Sequence, residues 1–189
     1  MMDPFSYLSV LLSIILGLAI AQVLQGYRAV LLAHRRVTLS TPVLIWSGLV
    51  LLFATQAWWA SFGLRDRPHW DFLSFAIILL QMILLSMLSA VIFPEIGRDD
   101  SVDLVDHFER HRRIFYGFLI AMLVVSVLKD LVLSHQLPHP ENLAFHAAFA
   151  ATALAGILIA NRRIQLWIAL IGAAEFLLYV ALLFAKLTL

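Results

Sequence analysis

The chain has 189 residues, of which 62% are apolar and only 13% charged, with a net charge of +1 and no cysteine. A water-soluble domain carries about 25% charged residues, so this chain has too little charge to cover a surface facing water. The small net charge, with Lys and Arg spread thinly between apolar runs, gives no sign of a nucleic-acid partner. The missing cysteines exclude disulfides, thiolate metal sites, iron–sulfur clusters and c-type haem attachment.

A bilayer core of about 30 Å takes about 20 apolar residues at roughly 1.5 Å rise each, and six segments meet or approach that. The first, 5–26, follows Asp3 with no Lys or Arg ahead of it and no short apolar core. It reads as a retained helix rather than a cleaved signal. The second, 42–63, opens at Pro42 and carries Gln56 and the Trp58-Trp59 pair; the third, 72–93, carries Gln81 and stops at Pro94. The polar stretch 97–113 reads as a short amphipathic helix on the inner face, capped by Asp99 or Asp100, with Val102, Val105 and Phe108 on lipid. Asp106 and Arg110 stand one turn apart and can pair.

The fourth segment, 114–134, holds Lys129 and Asp130. The fifth, 142–160, is the shortest and richest in alanine, with His146 near its start. Asn161, Arg162 and Arg163 make a tight hairpin into the sixth, 164–184, which carries Glu175. The expected fold is therefore all-α: a polytopic membrane helix bundle of about six transmembrane helices plus the amphipathic inner-loop helix, in one transmembrane domain over 1–189.

Lys and Arg accumulate on the cytoplasmic side of short loops. With the N-terminus outside, the inner loops hold Arg28, Arg35, Arg36, Arg98, Arg110, Arg112, Arg113, Arg162 and Arg163. The outer side then holds only Arg65, Arg67, Lys129 and Lys186. Both termini are expected on the outer, periplasmic side.

Lipid tails supply no hydrophobic push between helices, so small residues mark the faces where backbones approach. Ser9, Ser13, Gly17, Ala21 and Gln25 form one i+4 stripe; Ala148, Thr152, Gly156 and Ala160 form another. Packing within one subunit is the first expectation, and a homo-oligomer or a partner membrane protein the alternative. Trp58, Trp59 and Trp70 are expected in an outer interfacial belt, and Trp46 and Trp167 in an inner one.

An ionisable group at membrane depth costs about 2.5–3.5 kcal/mol on insertion scales, so it has a partner or a function. Glu175, between Ala174 and Phe176 in mid-segment, is the strongest case. A Glu that stays protonated can simply bond a neighbouring helix; one that gains and loses a proton can drive transport. Depth along the segments puts Glu175 near the midplane and Gln81 and Gln56 about 3–5 Å to its outer side. Lys129 and His146 fall about 7–8 Å outward, with Asp130 just beyond. Five segments thus place polar side chains in the outer half, which suggests a shared polar pocket of Glu175, Gln81, Gln56, Lys129 and His146. Lys129 can pair with Glu175 or snorkel outward on its long stem. Only Gln22 and Gln25 break the inner half.

Asp103, His107 and His111 share a face at i, i+4 and i+8, a spacing that can hold Zn²⁺. Glu109, however, is one place off the His-Glu-x-x-His pattern, and a solvated helix is the better reading. The outer His135, His139 and Glu141 read as plain loop. With His146 the only histidine inside a segment, paired haem ligation has no candidates, and no cofactor or metal is expected.

Phe5-Ser-Tyr-Leu-Ser-Val, Ser13-Ile-Ile-Leu-Gly17-Leu, Trp58-Trp59 and Phe108-Glu-Arg-His-Arg-Arg113 together resemble a family of small multi-pass bacterial inner-membrane proteins. The resemblance covers most of the chain and implies a bacterial cytoplasmic-membrane location. It brings no activity or catalytic residue. The expected function is a small transporter or channel-like protein with its pocket in the outer half. The alternative is a non-catalytic membrane subunit that binds partners through its small-residue stripes, and a membrane redox subunit trails.

Overall fold

The computed structural model describes residues 4–65, 70–95 and 101–184. Six helices carry the chain: α1 (Pro4–Leu32), α2 (Thr41–Ser61), α3 (Phe72–Ile92), α4 (Leu104–Ser134), α5 (Pro140–Leu158) and α6 (Arg162–Tyr179). Each is long and apolar enough to cross a membrane. Their ends follow local chemistry. Proline occupies the first turn of α2 and of α5, where its missing N–H costs nothing. Asp71 caps α3 by accepting from the Ser74 N–H at 2.6 Å. Asp103 caps α4 through Val105 at 2.8 Å, and Asn161 caps α6 through Arg163 at 2.9 Å. Phe93, ahead of Pro94, is extended and ends α3, as expected for a residue that precedes proline.

Helix α1 packs on α2 and α3; α3 packs on α4, α4 on α5, α5 on α6, and α6 returns to α2, which also meets α3 and α4. The bundle is thus a closed ring whose interior is filled from α2, α3 and α4 by Trp46, Val50, Ile78, Leu85, Leu88, Phe115, Tyr116 and Leu119. Outward faces are apolar as well, with Ile14, Leu18, Leu80, Val124, Leu154 and Leu177 all exposed. Apolar exposure along every helix suits a hydrocarbon surround and not water.

Three connections lie together at one end. Val37–Thr38 (β1) pairs in parallel with Val102–Asp103 (β2), which joins the α1–α2 and α3–α4 connections. At the α5–α6 turn, Arg162 donates twice to the Glu109 carboxylate near the start of α4, at 2.6 and 3.3 Å.

Two boundaries differ from the sequence reading. Helix α1 runs past Gly26 to Leu32 and so takes Arg28 into the helix. The separate inner-loop helix is not there among the described residues: from Leu104 it is continuous with the fourth segment as α4. No proline falls between 104 and 134, so nothing breaks the turn-to-turn bonding. Val102 lies in β2, and Phe108 is buried in the core instead of lying on lipid. The cap belongs to Asp103; the proposed capping residues Asp99 and Asp100 lie outside the described residues. Asp106 and Arg110 do pair across one turn.

Candidate functional site

Glu175 lies half-buried on α6, and one of its oxygens is held from the neighbouring helix. The Thr152 hydroxyl on α5 donates to Glu175 Oε1 at 3.0 Å. The other oxygen, Oε2, is out of contact with solvent and has no hydrogen-bond partner. Burying a polar atom unpaired costs about 1–3 kcal/mol, and more for a charged one.

That carboxyl lies on the wall of a cavity of about 80 Å³ formed by five helices. Its polar lining is Gln56 from α2, Gln81 from α3, Ser126 from α4, His146 from α5 and Glu175 from α6; Tyr179, one turn after Glu175, completes it. The Gln81 Oε1 atom is likewise buried and unpartnered. His146 is oriented by its Nδ1, which sits 2.8 Å from the Asn142 carbonyl one turn back. The remaining wall is aromatic and aliphatic: Phe53, Phe145, Phe149, Phe176, Leu85, Met122 and Leu123. A space of this size exceeds the about 10–15 Å³ that one water needs.

Toward the end opposite the β1–β2 pairing lies a second cavity of about 320 Å³, lined by Lys129, Asp130 and Asn142 together with Ser61, Gly63 and Leu64. Gln56, Ala57, Gln81, Ser126 and Tyr179 line both spaces. The two cavities therefore adjoin, with two glutamines, a serine and a tyrosine at the waist between them.

Of the five residues singled out in the sequence, Gln56, Gln81, His146 and Glu175 share the inner cavity and Lys129 lies in the outer one. No ion pair between Lys129 and Glu175 is present among the described residues. Lys129 and Asp130, neighbours in sequence, line the outer space together. Sequence reasoning missed Ser126, Asn142, Tyr179 and the phenylalanine wall. Ser126 had a signal: it stands three residues before Lys129, on the same face of α4.

A second polar assembly occupies the opposite end of the core. Trp46 Nε1 donates to the Tyr116 hydroxyl at 3.1 Å, and that hydroxyl donates to Gln165 Oε1 at 2.8 Å. Gln165 Nε2 then donates to the Gly156 carbonyl at 3.0 Å and to that of Ile159. The buried Arg112 guanidinium also reaches the Gly156 carbonyl, at 3.4 Å. The last carbonyls of α5, which have no partner within the helix, are thus capped from α4 and α6. Trp46 is fully buried, so it does not belong to an interfacial belt. Trp58, Trp59 and Trp167 remain exposed.

The small-residue stripes part company. On α5, Gly156 is buried under the Tyr116 ring, where a Cβ would overlap it, and Thr152 holds Glu175. Ala148 and Ala160 are exposed. On α1, Ser13 and Gly17 are exposed, Ser9 and Ala21 are half-buried, and a Cβ on Gly17 would meet nothing. Among the described residues, nothing therefore packs against the middle of that stripe, Ser13 and Gly17. Besides Gly156, the glycines that admit a close approach are Gly26, beneath Phe93, and Gly172, beneath Trp46.

The two histidines near the start of α4 are occupied locally. His107 Nε2 sits 3.0 Å from the Val91 carbonyl at the end of α3, and His111 Nδ1 sits 2.9 Å from the His107 carbonyl. No group of three or more potential ligands able to hold a metal occurs among the described residues. No family model, curated protein or solved structure matches the chain.

Proposed function

We propose that the chain is a polytopic protein of a bacterial cytoplasmic membrane that takes a small solute or ion into the pocket around Glu175, as a small transporter or channel. The observation that carries this reading is the buried, unpartnered Glu175 Oε2 on the wall of a cavity that four other helices also line. A group that costs this much to bury, and is half satisfied by Thr152, is suited to a visitor that supplies the missing bond.

The distribution of arginines supports the orientation. Arg35, Arg36, Arg110, Arg113, Arg162 and Arg163 cluster at the end where three connections meet, which supports a cytoplasmic placement of that end. The outer cavity with Lys129 and Asp130 then opens toward the periplasmic side, with the Glu175 cavity beneath it.

In proteoliposomes, Glu175→Gln should abolish a proton- or ion-dependent flux while the protein still inserts and gives a monodisperse bundle. Unchanged flux contradicts the reading.

A second reading, a docking subunit for another membrane protein or a second copy, is favoured by one observation. The Ser13 and Gly17 face of α1 is open, with none of the described residues packed on it. It predicts that Glu175→Gln is silent and that the stripe, not the pocket, is sensitive to substitution.

A further inference from the structure

The lining of the Glu175 cavity specifies what it would hold. Resting on the transport reading above, we infer that the ligand is a small organic ammonium, with its charged head in the inner cavity and its body in the outer one.

Two acceptor atoms, Glu175 Oε2 and Gln81 Oε1, face burial without a donor. Among the described residues, Glu175 is the only acidic side chain on that wall, and no Lys or Arg shares it. The charge demanded of a ligand there is positive. An inorganic cation needs a shell of oxygen ligands, whereas most of this wall is apolar, with Phe53, Phe145, Phe149, Phe176 and Tyr179 among its residues. Phe53 stands 4.7 Å from Phe176 and 5.9 Å from Phe149, nearly perpendicular to both; Phe145 packs edge-on against Tyr179 at 5.6 Å. Aromatic rings around one carboxylate suit an ammonium group, whose hydrogens the acid binds and whose remaining surface the ring faces attract.

Size divides the ligand. The inner space of about 80 Å³ suits an ammonium head, and the outer space of about 320 Å³ accepts a longer body. Lys129 and Asp130 stand together there, so the outer space asks for no net charge on that body. The waist of Gln56, Gln81, Ser126 and Tyr179 offers donors and acceptors to whatever passes between the two.

The test is calorimetric titration of the full chain in nanodiscs with n-propylammonium, n-propanol, propionate and sodium. The expected result is saturable binding of n-propylammonium at least about tenfold tighter than the isosteric alcohol, no binding of propionate, and no competition by equimolar sodium. Glu175→Gln should remove the preference for the charged probe. Phe176→Leu, which keeps an apolar wall but no ring, should weaken it several-fold with Glu175 intact. Equal affinity for the alcohol, equal competition by sodium, or full affinity in both Phe176→Leu and Phe53→Leu overturns the inference. Ammonium binding without flux leaves it standing and removes transport; Glu175-dependent flux without ammonium binding does the reverse.

Discussion

A single methylene separates the glycines that hold the bundle together from one that does not. Gly26 lies beneath the Phe93 ring, whose Cβ is also close, so the ring cannot simply swing aside. Gly17, nine positions earlier on the same helix, has open space where a Cβ would go. Gly26→Ala is therefore expected to destabilise the bundle by about 1–3 kcal/mol, the usual cost of overpacking. Gly17→Ala should be neutral, or stabilising by up to about 1 kcal/mol from helix propensity. Unfolding of both variants in mixed micelles checks the contrast; equal effects would mean that the α1–α3 approach is not as close as described. The i+4 spacing of small residues in the sequence could not make this distinction. Spacing shows where a close approach is possible, while the partner ring comes from a residue far along the chain.

Between elements, the contribution of a polar contact depends on where it lies. The Trp46–Tyr116–Gln165 chain ties α2, α4 and α6 to the end of α5 in the dry core. The Arg162–Glu109 pair ties the α5–α6 turn to α4 at the surface, with the Arg side chain 67% exposed. Tyr116→Phe leaves both an indole N–H and an amide oxygen without a partner, and should cost about 1–3 kcal/mol. Glu109→Gln should cost less than about 1 kcal/mol, as exposed ion pairs do. The same micelle unfolding measurement ranks them, and a larger loss for Glu109→Gln would reverse the assignment. The elements themselves were legible from hydropathy: all six helices fall on the apolar runs, with prolines, Asp71 and Asn161 at their starts. The polar chain was not legible. Trp46, Arg112 and Gln165 lie near segment ends, where a sequence allows both water and core, and only the packing of α4 against α5 and α6 decides for the core. The merging of the inner-loop helix into α4 was missed for a related reason. A change from polar to apolar composition marks a change of surroundings, and the backbone ran through it unbroken.

For the whole molecule, the claim is that the bundle encloses a polar path from one membrane face to Glu175. Depth alone, counted along each segment, brought Gln56, Gln81, Lys129, His146 and Glu175 into the same half of the bundle, and the ring order of the helices turns all but Lys129 onto one cavity. The count could not supply rotation about each helix axis, which is why Lys129 falls in the outer space and why the phenylalanine wall went unseen. Outward-facing and pocket-facing positions alternate within a turn on α4: Val124 is exposed on the outside of the bundle and Ser126 lines both cavities. The chain has no cysteine of its own, so one introduced thiol reports on one place. The most direct measurement is the reaction of a small, membrane-impermeant, positively charged thiol reagent with Ser126→Cys and, as control, Val124→Cys, applied from the side on which the Lys129 cavity lies. The account predicts that the thiol at 126 is modified and the one at 124 is not. An unreactive thiol at 126, or modification at both positions alike, would contradict a water-filled path to Glu175.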